Sequence, residues 1–229
     1  RAQKTAQIMF DKMWNFKFLP PGRGLWAMGT PYIYERGSAS LFNCAFVSTK
    51  DLANEFSAPF TFLMDMSMLG VGVGSDTRGA GTVKIKKPKV GEYTFTVEDS
   101  REGWVKLIET ILNSYVGSDV YPKTIDYSKI RKAGEPLKGF GGTASGSKSL
   151  EECIENIKAI LDPLIGEQIT SSAIVDIFNF IGKCVVAGNI RRSAELMLGD
   201  KNDLEFLELK NPKKYKKELM DRRWASNNS

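Results

Sequence analysis

Residues Leu41 to Val47, Leu-Phe-Asn-Cys-Ala-Phe-Val, form a run that is mostly apolar or aromatic and is flanked on both sides by polar residues. Such a run is short and bounded by turn-prone residues, which predicts a short buried strand. Asn43 and Cys44 stand at its centre, and on a strand their side chains point to opposite faces. A cysteine on a core strand is ordinarily a small buried hydrophobe. Two other stretches give Cys44 a second reading. A glycine-rich segment follows at Gly70 to Gly74, and an arginine pair sits in a glycine-flanked turn at Gly188 to Arg192.

The chain has 229 residues, enough for one large domain or two small ones. Its net charge of +5 favours anionic ligands, and a phosphorylated metabolite satisfies that as well as nucleic acid does. It has no histidine, which excludes imidazole catalysis and histidine-built metal sites within this chain. Cys44, Cys153 and Cys184 are far apart and odd in number, so they make neither a zinc spacing nor a secreted disulfide framework. No metal site is expected, and a reducing cytoplasm is the expected compartment. There is no signal peptide and no apolar run long enough to span a bilayer. Arg1 lies inside a helical pattern, and the chain stops just after Arg222-Arg223-Trp224, so it reads as a piece of a longer protein.

Along the chain, Ala2 to Phe16 has apolar residues at helical spacing, and Pro20-Pro21-Gly22 ends that helix. Pro21 to Gly24 then reads as a tight cationic loop, and Tyr32 to Ser40 as polar and turn-rich. Asp51 is the expected N-cap of a helix carrying Leu52, Phe56, Phe60, Leu63, Met64 and Met68 inward, with a kink or second start at Pro59. Leu69 to Ser75 alternates glycine with valine, a strand that can lie bare against a ligand. It is neither a P-loop nor a dinucleotide fingerprint. Thr82 to Thr96 is a basic β-like stretch. Glu98-Asp99-Ser100 caps a helix from Arg101 to about Tyr115. Tyr127 to Gly146 has the glycines and cations of an anion-binding loop. Leu150 to Leu164 and Ser172 to Val186 are helices in which Cys153 and Cys184 are packing residues. Ala194 to Leu198 reads as a strand and Asp203 to Leu209 as a short helix.

Taken in order, Phe18 to Trp26, Asn43-Cys44, Gly70 to Gly74, Ile130 to Gly146 and Gly188 to Arg192 resemble the large catalytic chain of the ribonucleotide reductases. Gly139 to Gly146 and Val186 to Arg192 look most similar to the monomeric, adenosylcobalamin-dependent ribonucleoside-triphosphate reductases, as does the extra segment from about Ser75 to Asp126. The resemblance implies an α/β fold, roughly the first half of a ten-stranded α/β barrel. Residues 1–74 and 127–229 would belong to the barrel, and 75–126 to an inserted effector-binding segment.

The resemblance also implies a chemistry. A thiyl radical removes a ribose hydrogen, and a cysteine pair then reduces the 2′ carbon. Cys44 would be one of that pair. Its partner, the radical cysteine and the Asn and Glu beside it would lie beyond Ser229, so the chain alone is expected to be inactive. Asn43, Gly70 and Gly72 would cradle the ribose. Arg131 and Lys138 would contact effector phosphate, and Gly188, Asn189, Arg191 and Arg192 would form the loop between substrate base and effector. Implied partners are a ribonucleoside triphosphate, a deoxynucleotide effector and a thioredoxin-type reductant, with adenosylcobalamin as cofactor.

Two other readings compete. One is a non-catalytic nucleotide-binding regulatory module derived from the same fold. The other is a nucleic-acid-binding protein, which rests on charge alone and lacks aromatic residues interleaved with the lysines.

Overall fold

Proline marks the start of two helices in residues 1–43, the first of two units into which the computed structural model divides the chain; the second is 44–229. The structure describes residues 1–136, 143–187, 194–215, 217, 223 and 226–229. Helix α1 runs Ala2–Trp14. Pro21, at φ −59°, is the N-cap of α2 (Gly22–Ala27), and Pro31 lies in the first turn of α3 (Pro31–Arg36). A fixed φ near −65° suits a helix start, and the missing N–H falls where no helical partner exists for it. Two expectations are thereby corrected. Pro21 to Gly24 opens a helix instead of forming a tight loop, and Tyr32 to Ser40 is α3 followed by a 3₁₀ turn, Ser38–Leu41. Helix α1 buries none of its residues. Phe10 and Trp14 stay exposed on it, stacked with ring centroids 5.9 Å apart.

The second unit contains, in chain order, β1 (Cys44–Val47), α4 (Ala58–Met68), β2 (Gly72–Asp76), β3 (Thr94–Thr96), α5 (Arg101–Ser114), β4 (Thr124–Asp126), α6 (Lys148–Leu161), α7 (Ser171–Val186), β5 (Glu195–Leu198), α8 (Leu204–Leu207) and β6 (Ser226–Asn228). Strands β1, β2, β5 and β6 pair in that order, all parallel, and β3 and β4 form a separate parallel pair. Parallel neighbours need a crossover between them, usually helical. Helix α4 carries β1 to β2, and α8 lies between β5 and β6.

The expected buried strand at Leu41 to Val47 shrinks to β1, whose residues alternate between exposed and half-buried. Among the described residues β1 is an edge strand, and an edge gives a strand one paired side only. The helix expected from Asp51 starts at Ala58 instead. Residues 51–55 turn first, with the Asp51 carbonyl accepting from Asn54 and Glu55 at 2.9 and 3.0 Å. Pro59 has no N–H to continue a helix through, so it takes the first turn. Helix α5 begins where the sequence placed it: the Ser100 hydroxyl accepts from the Gly103 N–H at 3.0 Å. Of the β-like stretch Thr82 to Thr96, only β3 is a strand. Lys84 and Val90 make isolated bridges to Gln168 and Tyr121, with Pro88, which cannot donate, between them.

The core lies between α4, α5, α6 and α7 and the inner face of the sheet. Phe60, Leu63, Leu107, Ile111, Leu150, Ile157, Ile174 and Phe178 are wholly buried in it. Each such side chain contributes about 1.5–3 kcal/mol of burial.

Helix α7 is buried along most of its length and carries polar groups that bind the strands. Asp176 accepts a forked pair of bonds from Arg223, at 2.6 and 2.9 Å, and Arg223 also donates to the Leu209 carbonyl at 2.7 Å. The same guanidinium lies 4.8 Å over the Tyr215 ring. One turn on, the Asn179 carbonyl accepts from the Ser226 N–H and its amide donates to the Ser226 hydroxyl, both at 3.1 Å. Gly182 comes next. A Cβ there would sit 1.4 Å from Oε1 of Glu195, so only glycine leaves room for that carboxyl.

Glu195 is 5% exposed, and among the described residues its Oε2 has no hydrogen-bond partner. Burial pushes its carboxyl up to about 8. The folded state therefore holds a proton between pH 4.5 and about 8 that the unfolded chain releases. Stability is fully present below pH 4.5, falls as the pH rises through that window, and is level above it. We expect a slope of up to about 1.4 kcal/mol per pH unit in unfolding titrations, absent in Glu195→Gln. Equal slopes in both proteins would contradict the protonated, buried carboxyl.

Candidate functional site

Cys44 opens β1 and is a free, exposed cysteine; Cys153 and Cys184 are buried. The parallel register sets Cys44 opposite Gly72, the first residue of β2. A residue without a side chain thus stands beside the thiol in the neighbouring strand. Asn43, also exposed, is the last residue of the first unit. At the other end of the same strand pair, Asp76 ties the two carboxyl ends together. Its carboxylate accepts from the Ser48 hydroxyl at 2.7 Å and from the Thr49 N–H and hydroxyl, each at 2.9 Å. Burial alone would raise the Asp76 carboxyl, but these bonds, with one from the Arg78 N–H, hold it below the usual carboxylate range.

Gly70 has a geometric task of its own. Its φ is +78°, the left-handed region. The Gly70 N–H donates to Ser67 at 2.8 Å and the Val71 N–H to Met66 at 3.1 Å. These two bonds are the paired closure that ends a helix on a left-handed residue, and they aim the chain from α4 into β2.

A second locus is a cavity of about 140 Å³ lined by Met68, Asp99, Ser100, Arg101, Trp104, Ile130, Arg131, Thr143 to Gly146, Cys184 and Val185. Its charges are paired. Arg131 bonds Asp99 at 2.6 Å, and Arg101 meets Asp65 at 3.1 Å and Glu102 at 2.9 Å. The long stretch expected as a loop at Ile130 to Gly146 closes at its base as a hairpin. Gly134 donates to the Ala144 carbonyl at 3.0 Å and Ala144 to Glu135 at 2.7 Å. A bridge between Pro136 and Thr143 follows. Lys138 lies outside the described residues, as do Gly188, Asn189, Arg191 and Arg192.

Sequence reasoning selected Arg131 but missed its partner Asp99 and its neighbour Trp104. It also missed Glu195 and the Gly182 that makes room for it. These are pairings across two elements, and nothing in local composition marks them.

Comparisons with known proteins follow this geometry. Residues 73–161 match the family described as B12-dependent ribonucleotide reductase, insertion domain. Residues 1–30 match the ribonucleotide reductase alpha domain. The whole chain is 45% identical to a probable adenosylcobalamin-dependent ribonucleoside-triphosphate reductase of Dictyostelium discoideum, covering 32% of that protein. It is 46% identical to an adenosylcobalamin-dependent ribonucleoside-triphosphate reductase of Euglena gracilis, again over the whole chain and 32% of the relative. Over its whole length the chain is similar to these ribonucleotide reductases.

A solved structure of a B12-dependent (class II) ribonucleotide reductase superposes over 99% of this chain and 38% of its own, with a TM-score of 0.83 at 28% identity. The α/β expectation therefore holds, with parallel sheets. The chain spans about a third of the length of these relatives. The matched residues, 73–161, begin within β2 and run to the end of α6. Among the described residues no helix is long and apolar enough to cross a membrane, and no three His, Cys, Asp or Glu side chains converge as for a metal ion.

Because Gly70 takes a left-handed φ at the end of a buried helix, Gly70→Ala is expected to cost about 1–2 kcal/mol, and Gly70→Asn less. Denaturant titration measures both; no loss in the alanine variant would remove the turn's demand for glycine.

Proposed function

We propose that the protein to which this chain belongs reduces ribonucleoside triphosphates to 2′-deoxyribonucleotides, with Cys44 as one of the two thiols that supply the electrons. The observation that carries the reading is the placement of Cys44. It is the exposed cysteine of the three and stands at the mouth of a parallel strand pair opposite a bare glycine, in a chain similar throughout to named reductases. Replacing a ribose hydroxyl by hydrogen takes two electrons. Two thiols supply them by becoming a disulfide, which an external dithiol of the thioredoxin type then reduces. Such a thiol has to be reachable, and burial in a helix interface, as at Cys153 and Cys184, would deny that.

In this reading Asn43 and the backbone of Gly70 and Gly72 hold the ribose beside Cys44. Residues 1–74 and 127–229 contribute to an α/β barrel completed by the rest of the protein. The cavity beside α5 anchors a deoxynucleotide effector, with Arg131 and Lys138 on its phosphates. The Gly188 to Arg192 loop carries the effector's identity toward the substrate base. Adenosylcobalamin, which the relatives' names call for, supplies the radical when bound. This chain offers cobalt no imidazole and the described residues gather no cluster of ligands, so no residue here is assigned to that cofactor. A cytoplasmic setting fits the reducing chemistry.

In the full-length protein, Cys44→Ser should abolish multiple turnover with a dithiol reductant, while radical formation, followed by electron paramagnetic resonance, survives. Steady turnover at the wild-type rate would remove Cys44 from the reaction.

The effector half is tested separately. Arg131 is held by Asp99, so an incoming phosphate has to compete with that carboxylate. Asp99→Asn should tighten deoxynucleoside-triphosphate binding by up to about fivefold, the worth of a half-exposed pair of roughly 1 kcal/mol. Arg131→Met should weaken it. Calorimetric titration with each deoxynucleotide decides; unchanged affinity in both variants would place the effector elsewhere.

A further inference from the structure

The basic stretch between β2 and β3 has no part in the reaction proposed above, yet it is rigidly placed. Its side chains alternate: Val83 and Ile85 are buried, while Lys84 and Lys86 are exposed. Backbone bonds hold this register. Val83 and Ile85 accept from the Ile169 and Gly166 N–H groups at 2.8 and 2.9 Å, and Ile85 donates to the Glu167 carbonyl at 2.9 Å. Lys86 donates to the Tyr115 carbonyl at 2.6 Å, and Lys84 bridges Gln168 in antiparallel sense. The two lysine side chains therefore leave one face of a pinned segment. On strand-like backbone that spacing is roughly 6.6 Å.

Both line a groove of about 730 Å³, far larger than the cavity beside α5. Its size lies within the roughly 300–1,000 Å³ of ordinary small-molecule sites, but its lining is mostly polar, which suits a charged ligand. The rest of the wall comes from residues 52–58, Thr61 and the second half of α5 with the residues after it. Hydrogen-bonding capacity is left over here. Lys106, Lys123, Lys129 and Lys158 are paired with Glu109, Glu92, Glu98 and Glu155. Among the described residues, Lys84 and Lys86 have no such partner, and the side-chain amides of Asn54 and Asn113 make no hydrogen bond. Of the two carboxyls in the lining, Glu109 is taken by Lys106 at 2.9 Å, and Glu55 is unpaired among the described residues. Two uncompensated cations thus stand against one uncompensated anion.

We propose that this groove is an anion site, separate from the cavity beside α5, that takes the oligophosphate chain of a hydroxyl-bearing metabolite. Lys84 and Lys86 each meet one phosphoryl group, and a chain of two or three such groups bridges the distance between them. The amides of Asn54 and Asn113 donate to phosphate oxygens, and Glu55 accepts from a ligand hydroxyl. The one aromatic residue of the lining, Phe56, is buried in the core and gives a nucleobase no ring to stack on. Recognition is therefore of the phosphate chain. The inference does not rest on the reductase reading, because none of these residues takes part in it.

The test uses the full-length protein, with inorganic tripolyphosphate as the probe. Lysine acetylation followed by peptide mapping reads each position. Tripolyphosphate should slow acetylation of Lys84 and Lys86 several-fold, while Lys50 and Lys201, exposed outside the groove, keep their rates. Sulfate at equal ionic strength screens charge without bridging the two lysines and should protect neither. The tripolyphosphate concentration that half-protects Lys86 should rise by up to about fivefold in Lys84→Met. In Glu55→Gln it should fall, because the carboxylate that repels the probe is gone. Both positions are exposed, so neither change threatens the core. Arg131→Met should leave that concentration unchanged, which separates this groove from the cavity beside α5. Equal acetylation with and without tripolyphosphate would overturn the inference. So would equal protection by sulfate, or loss of protection in Arg131→Met.

Discussion

The sheet hangs on one side of helix α7. Asp176, Asn179 and Gly182 are spaced three apart, and on a helix such residues are neighbours. The first holds Arg223, the second Ser226, and the third gives way to Glu195. Strands β5 and β6 therefore take their places from a single stripe of an otherwise apolar helix. A buried ion pair adds little net stability compared with well-packed apolar side chains, but breaking one half of it costs about 3–5 kcal/mol. Such groups are strict about geometry: the forked guanidinium fits only one arrangement of Asp176 and the Leu209 carbonyl. The final strand is fixed by directed bonds more than by packing.

The same logic positions the two candidate loci. Gly70 ends α4 and feeds β2, Gly72 then faces Cys44 across the parallel register, and Asp76 clamps the far end of the strand pair. The thiol stands at the open end of a pair that is locked at its other end. The cavity beside α5 is built differently. Its wall comes from α5, the hairpin base near Arg131 and the end of α7, three segments distant in sequence. A ligand there would touch these segments at once.

Much of the secondary structure was legible because it rests on local physics. Helix α5 announces itself through Ser100 and a 3.6-residue apolar period, and α6 and α7 through the same period. Where the reading failed, proline was usually the cause. Pro21 was taken to end a helix but is the N-cap of the next one, whereas at Pro59 the chain takes the second start, one of the two outcomes expected there. The Leu41 run misled in another way, because apolar content speaks to burial only once a partner surface is present.

By itself the sequence determined the family resemblance, the α/β class, the thiol at Cys44, the glycines beside it and the lack of histidine. These follow from residue identity and short-range spacing. The tertiary structure alone decided which charges neutralise one another. Asp99 with Arg131 and Asp176 with Arg223 join residues 32 and 47 positions apart. Only the fold makes them neighbours, because a hydrogen bond or an ion pair depends on a few ångströms of separation, and sequence distance carries no information about those ångströms.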